Sequence, residues 1–275
     1  MVNFTGKEDF LPPFINIVGD YFIAEKYKLG MCTIRKSMAQ LTLNTMCYLY
    51  DSKLFLEMNQ TMNDAKGPKD RECRQKYEFT HLSDQLDNDP EFTRIVYVRE
   101  PFDRFLSFFL DKCVNEDRCW DCKENMRCVV EKLYQSLRKF LVHKDSNPNY
   151  LDLHAAPLSW NCQFDKHLSK YNILMIGPEK DERRAAIYQL GNILKSKNVP
   201  KHEIDYIIYN SLGGLTTHST HFSEKRINAQ KQIETDPFIR DYLHKIYFYD
   251  YHIFPFSKST LDEKYRNGNW KELLL

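Results

Sequence analysis

The stretch Arg94 to Phe109, RIVYVREPFDRFLSFF, constrains this chain more than any other. Ile95-Val96-Tyr97-Val98 is a continuous apolar run of β-branched and aromatic residues, which predicts a buried strand. Pro101 cannot donate to a strand ladder but suits the first turn of a helix. Beyond it, Phe102, Phe105, Leu106, Phe109 and Leu110 recur at i, i+3, i+4, i+7 and i+8, the stripe of an amphipathic helix. Arg104, Ser107 and Asp111 fall together on the opposite face. Arg99 then stands at the carboxyl end of the strand, the edge at which open α/β sheets bind ligands. Two guanidiniums and a serine hydroxyl beside free helix N–H groups make a phosphate cradle. The plain alternative is an ordinary βα turn whose arginines are solvated or paired with Glu100 and Asp103.

A second unit of the same kind lies upstream. Leu29–Ile34 (LGMCTI) predicts another buried strand, Arg35-Lys36-Ser37 a basic turn, and residues 38–50 a helix with Met38, Leu41, Thr45 and Leu49 on one stripe. Ser37 and Gln40 have the spacing of a capping box, which gives Ser37 a structural role as the cap. Arg35 and Lys36 are harder to assign to structure, because two cations at a helix N-terminus oppose its dipole unless an anion lies between them.

Composition narrows the classes. Lys and Arg total 39 against 38 Asp and Glu, so no global charge draws the chain to nucleic acid or an anionic membrane, and any anion site is local. Glycine is scarce at 9 residues, and neither GxxxxGK[ST] nor GxGxxG occurs. No apolar run reaches the 18 or so residues that read as a membrane span, and the polar, proline-broken start MVNFTGKEDFLPPF reads as no signal peptide. The 8 cysteines point to an oxidising lumen, as more weakly do the sequons at Asn3 and Asn59. Cys113, Cys119, Cys122 and Cys128 include only one C-x2-C knuckle and no histidines at zinc spacing. They predict disulfides, among themselves or with Cys162, rather than a metal site.

In the rest of the chain, residues 1–19 read as an extended lead-in, Tyr21–Ala24 as a strand or turn, and residues 65–70 as a surface loop. Residues 129–142 and 182–194 are helical by period, Tyr171–Ile176 is a third strand, and His218 lies in a loop dense in hydroxyls and imidazoles. An aromatic stretch, Ile246 to Phe256, closes the fold. Residues 1–256 are expected to form a single domain and 257–275 a loosely held polar tail. The fold class is α/β, with a mainly parallel central sheet flanked by helices.

These residues carry a family resemblance. Arg99-Glu-Pro-Phe-Asp-Arg104-Phe-Leu-Ser107 resembles the RxPxxRxxS block by which sulfotransferases grip the 3′-phosphate of 3′-phosphoadenosine 5′-phosphosulfate (PAPS). Cys32-Thr-Ile-Arg35-Lys36 resembles the CxxPK start of the 5′-phosphosulfate loop in Golgi carbohydrate sulfotransferases of the chondroitin 4-O and HNK-1 type. His154-x-x-Pro157-x-x-x-x-Cys162 resembles that family's H…C segment, and FYDYHIFPF its final aromatic block. The chain departs from the pattern at Arg35, where the family has proline, and at Ala39 and Gln40, where it has serine or threonine.

The resemblance implies a P-loop-like sulfotransferase fold, PAPS as co-substrate, no metal, a glycan acceptor such as chondroitin, and residence in the Golgi lumen, where the family is tethered by a signal anchor that this sequence does not show. It assigns Arg35, Lys36 and Ser37 to the 5′ side of the nucleotide, and Arg99, Arg104 and Ser107 to the 3′-phosphate. Lys36 neutralises the leaving phosphate and His81 is the expected base, with His154 and His218 as rivals and acceptor contacts. The second reading is a degenerate relative that binds glycan or nucleotide without turnover, and a third is a lumenal interaction protein that reuses the fold. Oligomeric state has no signature in the sequence.

Overall fold

The computed structural model describes residues 9–64, 73, 78–142, 148–177, 179–213 and 224–266. The chain forms two compact units, one of Val18–Arg99 and Lys166–Ser219, the other of Met1–Ile17, Glu100–Asp165 and Thr220–Leu275. The first holds the sheet and the second is helical. The longer helices are α1 (Ala39–Tyr50), α2 (Pro101–Phe108), α3 (Met126–Val142), α4 (Lys180–Ser196), α5 (Lys201–Gly213), α6 (Glu224–Thr235) and α7 (Pro237–Ile253). None among the described residues is long and apolar enough to cross a membrane.

The sheet unit holds five strands, β1 (Asp20–Ala24), β2 (Leu29–Thr33), β3 (Glu78–Phe79), β4 (Thr93–Arg99) and β5 (Tyr171–Ile176), in the order β3-β1-β2-β4-β5. The short turn Glu25–Tyr27 returns the chain directly, so β1 and β2 are antiparallel. Long crossovers make β2, β4 and β5 parallel, and β3, antiparallel to β1, points the same way as they do. Only β1 opposes the others. Ile95, Val96, Tyr97 and Val98 are all at most 1% exposed, as a continuous apolar run on a doubly covered strand requires. Gly30 on β2 leaves room for the Phe92 ring, which a Cβ there would meet at 2.6 Å.

One face of this sheet packs through Phe22, Met31, Ile95, Tyr97 and Leu174 against Leu43 and Met46 of α1, Ile187 and Leu190 of α4, and Ile207 of α5. Each such side chain removed from water contributes about 1.5–3 kcal/mol. The Cys47–Cys73 disulfide ties α1 to the chain that follows it.

In the helical unit α7 packs against α2, α3 and α6. The aromatic stretch read as a closing element is the second half of α7 and the residues after it, with Tyr247, Phe248 and Tyr251 buried. The lead-in is anchored here, since Leu11 N donates to Lys245 O at 2.8 Å and Phe10 stacks on Phe248. Residues 257–266, expected to be a loose tail, are packed: Leu261 and Tyr265 are buried and Arg240 Nε donates to Asp262 at 2.7 Å. Polarity marked this stretch as solvated, but two apolar anchors hold it. Cys113–Cys119 and Cys122–Cys128 are disulfides, and no cysteine among the described residues is free.

Candidate functional site

Strand direction and register place the basic turn of the sheet unit. Phe79, Tyr21, Cys32, Val96 and Ile173 form one row across β3, β1, β2, β4 and β5. Two residues onward, the chain leaves β2 at Ile34 and has passed β3 at His81, while β4 ends at Arg99. Arg35, Lys36, Ser37, His81 and Arg99 therefore share the carboxyl edge of the sheet. His81 is exposed, its Nδ1 at 3.1 Å from Thr80 Oγ1, two strand spacings (about 10 Å) across the sheet from the end of β2.

The turn after β2 differs from its sequence-based reading. Ser37 N donates to Ile34 O at 3.0 Å, and the tight bend this closes puts Lys36 in the left-handed region at φ 67°. Met38, at φ 55°, is the N-cap of α1 in place of Ser37, and no side chain caps the helix. Two non-glycine residues at positive φ cost on the order of 1–3 kcal/mol each, and such strain clusters at ligand-binding loops. Left-handed residues in a turn before a helix are one way a chain builds an anion-binding nest.

The Ser37 hydroxyl is freed from capping, only 1% exposed and without a hydrogen-bond partner, as is Thr42 Oγ1 one turn on. The Gln40 amide donates along the helix to Asn44 Oδ1 at 3.5 Å. Capping-box spacing was present, but the geometry it requires is absent.

Two contacts set the charge around this turn. Arg99 Nη1 donates to Lys36 O at 3.3 Å, so the end of β4 and the turn after β2 are joined through the residues the two motifs singled out. Arg35 lies 3.6 Å from Asp20, whose place at the start of antiparallel β1 brings a carboxylate to this edge. That acid answers part of the repulsion expected between adjacent cations and the helix dipole.

In the helical unit, the Glu100 carboxylate caps α2 by accepting from Asp103 N at 2.6 Å, with Pro101 in the first turn. Its carboxylate also accepts from Tyr251 OH, and Asp103 pairs with Arg226 of α6. Arg104, expected in the phosphate cradle, is fully buried; its Nη1 donates to Ala156 O at 2.8 Å and its Nη2 to His154 O at 3.3 Å.

On the same segment Tyr247 OH donates to Ala155 O at 2.6 Å, and Asp250 accepts from Leu158 N at 2.6 Å and Ser159 N at 3.0 Å. Burial pushes the Asp250 carboxyl up to about 6 against these hydrogen bonds and the nearby Arg104 charge. The second arginine of one motif and the aromatic block of another thus clamp the third, the His154 to Trp160 segment. Periodicity gave Arg104 its polar face correctly; what that face meets is a row of carbonyls. Ser107 lies half-buried on α2 one turn beyond it.

His154 is held by Nδ1 at 2.7 Å from Tyr150 O, and its ring packs on the Tyr150 ring at 4.4 Å. His218 lies outside the described residues. Among the described residues no group of three or more His, Cys, Asp or Glu side chains is arranged to hold a metal ion. A feature with no sequence signature follows α2: Phe109–Asn115 is a π-helix, with Glu116 N donating to Asp111 O at 3.1 Å.

Carbohydrate sulfotransferase chst-1 of Caenorhabditis elegans is 36% identical over 273 residues, covering 94% of this chain and 81% of its own length. An uncharacterized protein of the same organism is 28% identical over 251 residues, covering 87% of this chain and 69% of its own length. No solved structure matches. The model described as the sulfotransferase family matches residues 19–257, and the chain belongs to that family.

Proposed function

We propose that this chain is a carbohydrate sulfotransferase that moves a sulfuryl group from PAPS to a sugar hydroxyl of a glycosaminoglycan such as chondroitin or a related glycan. The observation that carries the reading is the turn after β2. An uncapped helix N-terminus, two left-handed residues and a buried hydroxyl without a partner adjoin Lys36 and the Arg99 guanidinium. That donor set suits a phosphosulfate. Lys36, Arg35 and the amides around Ser37 hold the 5′ side, with the Ser37 hydroxyl in the place of those missing at Ala39 and Gln40. The family motif assigns the 3′-phosphate to Arg99 and Ser107. Arg104 is buried and supports the segment carrying His154.

In the reaction the acceptor oxygen bonds to sulfur in line as the bond from sulfur to the bridging oxygen breaks. The electron pair leaves with the 5′-phosphate, where Lys36 meets the developing charge. His81, exposed at the same edge, takes the hydroxyl proton. The products are the sulfated sugar and 3′-phosphoadenosine 5′-phosphate. Identity to chst-1 and the oxidised cysteines support a place in the secretory pathway, in the Golgi lumen, with Asn59 exposed for glycosylation. A degenerate binder without turnover is the second reading, favoured by the absence of a hydroxyl at positions 39 and 40. Transfer of labelled sulfate from PAPS to desulfated glycosaminoglycans decides between them. Incorporation supports the enzyme, and nucleotide binding without incorporation supports the degenerate relative.

A further inference from the structure

Tyr150 is 46% exposed, yet polar groups surround its ring. Lys112 Nζ lies 5.5 Å from the ring centroid, the Arg118 guanidinium 5.7 Å, and the His154 ring 4.4 Å. The cations carry their own counter-charges: Lys112 is 3.0 Å from Asp111 and 2.5 Å from Glu116, and Arg118 is 3.3 Å from Glu116. Formal charge over Lys112, Arg118, Asp111 and Glu116 sums to zero, so this surface does not attract a bare anion strongly. It offers instead a half-exposed aromatic ring flanked by donors, acceptors and the His154 imidazole. A pyranose ring has the complementary chemistry, with C–H bonds on one face and hydroxyls around its edge.

The platform is also built in advance. The π-helix that carries Asp111 and Lys112 continues α2, and the Cys113–Cys119 disulfide closes the loop bearing Glu116 and Arg118. Arg118 N donates to Lys112 O at 2.9 Å, and Arg104 of α2 holds His154 O. Groups held this way lose little freedom on binding. Lys112 lies five residues beyond Ser107, about 7–8 Å along a helical path, which is within reach of a short oligosaccharide.

We propose that Tyr150 is the stacking platform of an acceptor subsite, on which one sugar ring of the glycan lies while Arg118 and Glu116 bond its hydroxyls. This rests on the carbohydrate reading above, and binding, unlike turnover, tests it separately.

The experiment uses the full chain and hexasaccharides of unsulfated chondroitin and heparosan as probes. Saturation-transfer NMR and calorimetry are run on wild type, Tyr150→Phe, Tyr150→Ala and Arg118→Ala. Tyr150→Ala is expected to weaken binding of at least one hexasaccharide about tenfold or more, and Tyr150→Phe to keep it. Arg118→Ala, at a side chain 60% exposed, is expected to weaken it severalfold without touching the fold. Affinity for 3′-phosphoadenosine 5′-phosphate should stay unchanged in all three. The inference is overturned if neither hexasaccharide binds the wild type. It is equally overturned if Tyr150→Ala and Arg118→Ala bind as wild type while nucleotide affinity is intact. Failure of sulfate transfer with hexasaccharide binding retained would sink the enzymatic reading and leave the platform standing.

Discussion

Replacing Arg104 with methionine keeps the side chain's length and removes its donors. Two buried carbonyls, Ala156 O and His154 O, then lose the charged partner that now sits 2.8 and 3.3 Å away. Asp250 also loses a neighbouring positive charge while still accepting from Leu158 N and Ser159 N. Hydrogen bonds to a charged group contribute about 1.5–3 kcal/mol each, and breaking a buried charged contact from one side typically costs about 3–5 kcal/mol, the loss expected here. For a chain of this size, about 2–4 °C of melting temperature per kcal/mol makes that a fall of roughly 6–20 °C.

Arg99→Ala makes the contrast. Its side chain is only partly buried, and its loss should lower the melting temperature by less than that of Arg104. Thermal unfolding followed by circular dichroism, with nucleotide calorimetry at a temperature where both variants are folded, separates the two arginines. If Arg104→Met melts with wild type but loses the 3′-phosphorylated nucleotide, Arg104 is a ligand and the clamp described here is wrong.

Turnover should fall about 10²–10⁴-fold in His81→Ala with nucleotide affinity unchanged, and a loss under threefold would remove His81 as the base. Two buried groups set opposed pH dependences. Asp250, raised to about 6, contributes stability that grows as pH falls from there toward 3.8, whereas His244, lowered to about 4 by burial, withdraws stability as pH falls from 6.5. Asp250→Asn removes the first, so its stability should drop more steeply than wild type between pH 6 and pH 4, and parallel curves would contradict the assignment. Removing the Cys47–Cys73 disulfide, with its separation of 26 residues, should cost about 3.5 kcal/mol, against about 2.2 for Cys113–Cys119 with 6, measured by urea unfolding of paired alanine variants.

Much of the sheet was legible because its parallel strands are covered on both faces and read as unbroken apolar runs. Tyr171–Ile176 agrees end to end, Leu29–Ile34 runs one residue past the observed strand, and Ile95–Val98 is the centre of β4. The edge was harder. β3 has two residues, too few for a period, and its neighbour β1 reads equally as strand or turn.

The basic residues of the site were legible as charge at strand ends, but their local geometry was not. Ser37 satisfies a capping pattern in sequence, while Lys36 and Met38 take a left-handed path that moves the cap to Met38. Arg104 shows how a motif residue can be read on the correct face while the partners it meets there stay hidden. Its carbonyl acceptors lie about 50 residues on, and nothing local announces them. Tyr150 and Arg118 meet only through a π-helix and a disulfide-closed loop, neither of which leaves a periodic trace.

The central claim is that Arg99 and the Lys36 turn bind a nucleotide carrying a 3′-phosphate. Calorimetric titration of 3′-phosphoadenosine 5′-phosphate and of AMP into wild type, Arg99→Ala and Lys36→Ala tests it most directly. Wild type should prefer the 3′-phosphorylated nucleotide, Arg99→Ala should lose about ten- to a hundredfold of affinity for it with little change for AMP, and Lys36→Ala should weaken both. A wild type without that preference, or an Arg99→Ala variant that retains it, would contradict the account.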